Sequence, residues 1–205
     1  MKRLTIHFLA LLACFAISAA GAGEPVEGKD YVRLKNGQPV ETGKKIEVIE
    51  FFSYGEPILD AWVAKLPPDV QFRRVPVIFQ QRWEALARIY YTLDAMGDEA
   101  RLSPEVFKAI HASGLPLYQD KAFFDWAAAH GLDRTKVVEV YGSFAVTSRF
   151  NRAKAVAQAY NIQSVPTMVV DGKYVTSSDR VGTHAAMPPV LDALIVKARA
   201  EHGKT

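Results

Sequence analysis

Two groups of strand-like segments flank a long run of helical ones in this chain of 205 residues. The first group follows a strand–helix–strand pattern, and the last is a hairpin pattern followed by a helix. Between them, residues 79–162 show only helical periodicity. A parallel βαβ unit and a hairpin with a helix combine naturally into one mixed sheet. We therefore expect an α/β fold into which an all-helical segment is inserted.

The strands of the first group are marked by β-branched and aromatic residues. Ile46–Tyr54 is the strongest candidate, Tyr31–Leu34 is a shorter one, and Val70–Val77 follows later. Between the last two strands, apolar residues recur at helical spacing from Pro57 to Leu66, before a proline pair. This order predicts a parallel βαβ unit.

The middle of the chain predicts five helices, and an aromatic stripe of Trp83, Tyr90 and Tyr91 on the first is interpreted as core packing. Gly97 is predicted to end the first helix, and Ser103–Pro104 to begin the second. Asp120 and Asp133 are predicted to cap the next two helices, and the last helix is predicted to run through Phe150–Tyr160.

The last segment returns to strands. Thr167–Val170 and Lys173–Val175 are separated by Asp171-Gly172, a dipeptide typical of tight hairpin turns. Apolar positions at helical spacing then predict a C-terminal helix over residues 188–199. This segment therefore supplies a β-hairpin and a helix that can pack on it.

The first 22 residues have the pattern of a secretory signal peptide. Two basic residues precede the apolar run Leu4–Ile17, and small residues at A-x-A spacing predict cleavage after Ala20 or Ala22. The run is too short to span a bilayer. A lipoprotein signal with a lipidated Cys14 is the alternative, although the apolar residues after Cys14 disfavour it. We expect the protein to be exported to the periplasm.

Cys14 is the only cysteine in the sequence, so residues 23–205 contain no thiol. They can form neither a disulfide nor a cysteine metal site. The four histidines of this region also lack metal-ligand spacing; they are His111, His130, His184 and His202. We expect no metal and no cofactor, and we interpret these histidines as surface or helix-end residues.

Charge gives no reason to expect a nucleic-acid partner. The formal net charge is +3, and removal of residues 1–22 takes away Lys2 and Arg3, which leaves +1. Basic residues also do not cluster with aromatic ones, as they do in nucleic-acid-binding surfaces. We therefore expect no nucleic acid among the partners.

Three stretches resemble the DsbA family of thiol:disulfide oxidoreductases. Glu47–Gly55 is similar to the strand that leads into the family's active site, Ser164–Thr167 to its cis-proline loop, and Arg74–Gly97 to the entry into its helical insertion. The resemblance implies a thioredoxin-like fold with an inserted all-helical domain. It divides the chain into a signal peptide (1–22), a first thioredoxin-like part (23–78), the insertion (79–162) and a second thioredoxin-like part (163–205).

The sequence differs from the family at the position of the redox motif. In the family, a Cys-Pro-x-Cys motif follows the position of Gly55, whereas here Glu56 and Pro57 follow it. The simplest alignment removes the motif and roughly two turns of helix. Gly55, Glu56 and Pro57 therefore mark a helix start without a redox motif, and we interpret Glu56 as a first-turn carboxylate that favours the helix dipole. We predict no catalytic residue and no dithiol–disulfide exchange.

The resemblance also implies a binding site and partners. In the family, the loop matched by Val165, Pro166 and Thr167 pairs with the backbone of a substrate as an added strand; here it could instead be a turn that only sets the sheet register. The implied partners are unfolded or reduced exported proteins and a membrane redox partner, and the implied state is a monomer. Three hypotheses remain: a redox-inactive interchange protein, a cysteine-free peptide-binding or chaperone-like module, and a scaffold anchored to lipid through Cys14.

Overall fold

The structure is a computed structural model that describes residues 24–56 and 59–202. The predicted signal peptide, Cys14 and Pro57 lie outside the described residues. Within the described part of the chain, no helix combines the length and apolar character that crossing a bilayer requires.

Five strands form one mixed sheet with the order β1-β5-β4-β2-β3. The strands are β1 (Val32–Arg33), β2 (Ile46–Phe52), β3 (Val70–Pro76), β4 (Thr167–Val170) and β5 (Tyr174–Ser177). The pair β2–β3 is parallel, as the βαβ pattern predicts, and the other neighbouring pairs are antiparallel. The central strand β2 is therefore paired on both sides, and β3 is an edge strand.

The helices are α1 (Asp60–Val63), α2 (Gln81–Met96), α3 (Glu99–His111), α4 (Asp120–Ala129), α5 (Arg134–Tyr141), α6 (Phe144–Ala159), α7 (Ser178–Val181) and α8 (Met187–His202). A short 3-10 turn over His184–Ala186 precedes α8. The helices α2 to α6 all lie between β3 and β4, which confirms the predicted α/β fold with a helical insertion.

An apolar layer covers each face of the sheet, and β2 contributes to both because every one of its residues is buried. Ile49 and Phe51 face the insertion helices, whereas Ile46 and Val48 face α1 and α8. Side chains of a strand alternate between its two faces, so a strand that is covered on both faces buries every side chain. The two charged residues of β2, Glu47 and Glu50, are buried as partners of Arg73 and Arg74.

Two predicted helix boundaries are wrong. The helix expected over residues 57–66 appears as the four-residue α1, which ends at Val63. The chain then continues in tighter i→i+3 turns, in which the Lys65 and Leu66 N–H groups donate to the Trp62 and Val63 carbonyls. The start expected at Ser103–Pro104 lies inside α3, which begins at Glu99. Burial of Leu102 and Val106 on the same helical face outweighs the backbone hydrogen bond that Pro104 cannot form.

The other predicted boundaries agree better with the structure. Gly97 ends α2 with φ 78°, a left-handed conformation that suits glycine. Asp133 caps α5 by accepting a hydrogen bond from the Lys136 backbone N–H. Asp120 is instead the first residue of α4, and its carboxylate accepts a hydrogen bond from the Tyr141 hydroxyl. The hairpin turn falls at Asp171-Gly172, as predicted.

Candidate functional site

The end of β2 and the loop before β4 lie side by side. In the antiparallel register Phe51 pairs with Thr167, so the residues after Phe52 adjoin the loop that contains Val165 and Pro166. The Val165–Pro166 peptide bond is cis, and the Thr167 hydroxyl donates to the Ser164 carbonyl over 2.7 Å. The structure thus brings together the strand end and the loop that the sequence resemblance singled out.

A tight turn follows β2 where the sequence predicted a helix start. The Glu56 N–H donates to the Ser53 carbonyl over 3.0 Å, and the Gly55 N–H donates to the Ser53 hydroxyl over 3.2 Å. Helix α1 begins only at Asp60, so Glu56 is not in its first turn. The helix-dipole interpretation of Glu56 is therefore wrong, because its carboxylate belongs to the turn rather than to the helix.

Two contacts hold this turn against the insertion. The Nε2 atom of His111, at the end of α3, lies 2.9 Å from the Tyr54 carbonyl. The Tyr54 hydroxyl lies 2.5 Å from the Ser103 hydroxyl, which donates to the Glu99 carboxylate over 2.7 Å. His111 is exposed at a helix end, as predicted, but the sequence alone did not reveal its contact with the strand end.

A buried ion pair lies beneath α1. The Nε atom of Arg74 donates to Glu50 over 2.7 Å and its Nη2 atom to Asp60 over 2.5 Å, while the Leu59 N–H donates to Glu50 over 3.2 Å. Glu50 is fully buried. Burial raises the pKa of its carboxyl above the ordinary value, although Arg74 opposes the shift. This group joins the sheet to the start of α1.

A cleft of about 310 Å³ opens beside the turn, between the start of α2 and the end of α3. Its lining includes Gly55, Glu56, Trp83, His111, Leu115 and Tyr118. Trp83 lies in the predicted aromatic stripe and is buried, as expected. Sequence analysis did not identify the cleft, because its walls come from segments that lie far apart in the chain.

Few reactive groups are available at the end of β2. The side chains of residues 53–56 offer a hydroxyl, a buried phenol and a carboxylate. None of them can attack a disulfide sulfur and then form a mixed disulfide, which requires a thiolate. The geometry instead offers a loop edge and a cleft that an extended chain could contact.

A family profile described as the DSBA-like thioredoxin domain matches residues 59–186. Among curated relatives, the chain is 40% identical to the thiol:disulfide interchange protein DsbA of Azotobacter vinelandii over 180 residues, which cover 84% of each chain. It is 38% identical to the protein of the same name from Pseudomonas syringae pv. tomato over 208 residues, covering 98% of this chain and 97% of the relative.

Solved structures agree with this relationship. The crystal structure of Pseudomonas aeruginosa DsbA superposes with a TM-score of 0.80 at 38% identity, covering 87% of this chain and 96% of that one. The oxidoreductase DsbA from Xylella fastidiosa superposes with a TM-score of 0.79 at 31% identity, covering 86% of this chain and 98% of that one. The similarity extends over the sheet and the inserted helices together.

Proposed function

The chain belongs to the DSBA-like thioredoxin domain family of thiol:disulfide interchange proteins, and from this premise we propose that it is a member that does not catalyse dithiol–disulfide exchange. The observation that carries the proposal is the turn after β2, where Gly55 is followed by Glu56 rather than by cysteine. The only cysteine, Cys14, lies in the predicted signal peptide, so no thiol is present in residues 23–205.

The physical reason is specific to sulfur. Exchange proceeds through a thiolate that attacks a disulfide and becomes covalently linked to it. A carboxylate such as that of Glu56 can accept a proton, but it cannot carry the two electrons of a thiol–disulfide couple. The fold of the family is retained, and the reacting group is missing.

A second candidate function is peptide binding without chemistry, and the geometry of the loop before β4 favours it. Pro166 and Thr167 are buried, whereas Val165 is partly exposed beside the end of β2. A loop held in this way can present backbone groups to an extended peptide, which would add to the sheet as a short strand. Its partners would be unfolded or reduced exported proteins.

The same proposal includes the cellular setting. The predicted signal peptide and the family relationship support export to the periplasm, where unfolded exported chains are available as ligands. A membrane redox partner would have no cysteine to reoxidise in this chain. We propose a monomer that meets exported polypeptides but exchanges no electrons with them.

The decisive experiment is an oxidation assay on purified residues 23–205. We expect oxidation of a reduced dithiol peptide, and reduction of insulin, at the rate of a buffer blank, because no thiolate is available. The matched control is a variant with a Cys-Pro-Ala-Cys segment inserted after Gly55, which should raise the rate above the blank. Turnover by the unmodified chain, in a sample shown to be free of other oxidoreductases, would contradict the proposal.

A further inference from the structure

The loop between β1 and β2 contains an asparagine–glycine pair, Asn36 and Gly37, and both residues are exposed. The backbone nitrogen that follows an asparagine can attack the side-chain amide of that asparagine. Glycine favours this attack because it has no Cβ to block the approach and its backbone adopts many conformations. The other asparagines of the sequence, Asn151 and Asn161, are followed by arginine and isoleucine. Local chemistry therefore singles out Asn36.

Two backbone hydrogen bonds hold the loop on either side of this pair. The Leu34 N–H donates to the Lys173 carbonyl over 2.8 Å, and the Gln38 N–H donates to the Gly172 carbonyl over 2.9 Å. The Gly37 N–H forms no backbone hydrogen bond in the part of the chain that the structure describes. The attacking nitrogen is therefore not held by the neighbouring hairpin turn, although the residues on both sides of it are.

The hairpin turn itself provides an internal comparison, because an aspartate–glycine pair can form the same cyclic imide. Asp171 is only 2% exposed. Its carboxylate accepts a hydrogen bond from the Lys173 Nζ atom over 2.8 Å and lies 2.9 Å from the His202 Nε2 atom. This carboxyl group cannot turn toward the Gly172 nitrogen without losing both contacts. The folded structure thus separates two pairs that local sequence treats alike: Asn36 is accessible, and Asp171 is held.

We propose that Asn36 is a site of spontaneous deamidation, a modification that needs only water as co-reactant. The Gly37 nitrogen forms a bond to Cγ of Asn36 and loses its proton, while the Cγ–Nδ2 bond breaks and ammonia leaves. Water then opens the resulting cyclic imide. Cleavage of the new N–Cγ bond gives aspartate, whereas cleavage of the original peptide bond gives isoaspartate, in which the main chain runs through Cβ and Cγ.

The two products should fit the loop differently. Both replace a neutral amide with a carboxylate, so the formal net charge of residues 23–205 falls from +1 to 0. Aspartate keeps the main-chain length between the Leu34 and Gln38 hydrogen bonds, whereas isoaspartate adds one carbon to it. Gln38 cannot move closer to Gly172 to absorb this carbon, because a Cβ at Gly172 would already lie 2.2 Å from the Gln38 carbonyl oxygen. We therefore expect isoaspartate to break the Gln38–Gly172 hydrogen bond.

Incubation of purified residues 23–205 at 37 °C, at mildly alkaline and at mildly acidic pH, tests the proposal. We expect slow conversion to a species with one more negative charge in isoelectric focusing. Conversion should be faster at alkaline pH, because base removes the Gly37 N–H proton. Fragmentation of tryptic peptides in a mass spectrometer should place the change from amide to carboxyl at Asn36 and not at Gln38. Enzymatic methylation specific for isoaspartate should label the same peptide.

Variants supply the controls. Asn36→Gln should abolish the conversion, and Gly37→Ala should slow it, because the added Cβ hinders the attack. The alanine is tolerated in the fold, since its nearest neighbour is the flexible Lys173 side chain, 3.3 Å away. Asn36→Asp reproduces the aspartate product, and hydrogen exchange of its Gln38 amide should match that of the unmodified protein. The isoaspartate product should show faster exchange at the same amide.

A sample unfolded in urea completes the test, because both pairs are then free to react. We expect isoaspartate at position 36 alone in the folded protein, and at positions 36 and 171 in the unfolded one. Asn36 that stays intact in the folded protein while it reacts in urea would overturn the proposal. Isoaspartate at position 171 in the folded protein would overturn the distinction between the two pairs. Equal protection of the Gln38 amide in both products would overturn the expected break of the loop.

Discussion

Glu50 is a carboxylate inside the protein, on the central strand of a sheet. It is fully buried and its oxygens accept hydrogen bonds from Arg74 and from the Leu59 backbone N–H. Removal from water disfavours the charged form, and the cation of Arg74 favours it. Burial is the larger influence, so the pKa of Glu50 in the folded protein is raised.

This direction predicts how stability depends on pH. A carboxyl whose folded pKa lies above its unfolded pKa contributes stability that is fully present below the unfolded pKa and is lost as pH rises through the folded pKa. The side chain of Glu50→Gln does not titrate. We therefore expect the free energy of unfolding of the variant to increase, relative to that of the unmodified protein, as pH rises from 4 to 8.

Urea unfolding of both proteins across this pH range measures the effect. Glu139→Gln is the control for the loss of one carboxylate, since Glu139 is 68% exposed on α5. A stability difference between Glu50→Gln and the unmodified protein that stays constant with pH would show that Arg74 balances burial. A difference that changes in the opposite direction would show that Arg74 outweighs it.

At the scale of elements, the predicted deletion falls at the joint between β2 and α1. All seven residues of β2 remain paired and buried, so the strand does not fray. Helix α1 is reduced to four residues, yet Trp62 stays buried and its indole N–H reaches Asp192 on α8. The intact β2 and the four-residue α1 are what we expect if the predicted deletion shortens the helix, because β2 is held by neighbours on both sides.

Lengthening this joint is expected to stabilise the protein. We predict that insertion of Ser-Pro-Ala-Ser-Ala-Ala-Leu after Gly55, about two turns of helix, raises the denaturant midpoint because it extends α1 over the sheet. Each apolar side chain that the new turns bury should contribute about 1.5–3 kcal/mol.

The comparison requires a control of equal length. A seven-residue Gly-Ser insert after Asn36, in an exposed loop, tests whether an insertion of this size alters stability by itself. If the helical insert raises the midpoint no more than the loop insert does, the short α1 is already fully accommodated and the argument fails.

At the scale of the whole molecule, helix α2 of the insertion and the short helix α1 are unequally packed. Helix α2 packs against three other insertion helices and buries a large set of side chains: Trp83, Leu86, Ala87, Ile89, Tyr90, Tyr91, Thr92 and Leu93. Helix α1, on the opposite face, buries only Trp62. The insertion is therefore the better packed part, and the region of α1 is the weaker one.

Native-state hydrogen exchange should reveal this difference. We expect amides in the middle of α2 to exchange only through global unfolding, and amides of α1 to exchange through local openings of much lower free energy. The denaturant dependence of each rate distinguishes the two routes, because only global opening exposes the whole core. Exchange of α1 amides at the global rate would contradict the predicted weakness of this joint.

Much of the architecture follows from local pattern in the sequence. The β-branched and aromatic residues from Ile46 predicted the strand β2, and Asp171-Gly172 predicted the hairpin turn, because each depends on preferences of neighbouring residues. The family and its helical insertion could also be identified from short motifs. The lack of a thiol beyond Cys14 needs no structure at all.

The tertiary structure decided what local pattern could not. Ser103-Pro104 has the local character of a helix start, but its side chains lie inside α3, where Ser103 meets Tyr54 from the strand end. The cleft around Trp83 unites residues from three separate segments, and His111 reaches the Tyr54 carbonyl across 57 positions of sequence. Such contacts depend on how whole elements pack, since the energy of burying distant side chains together can outweigh a local preference of a kcal/mol or so.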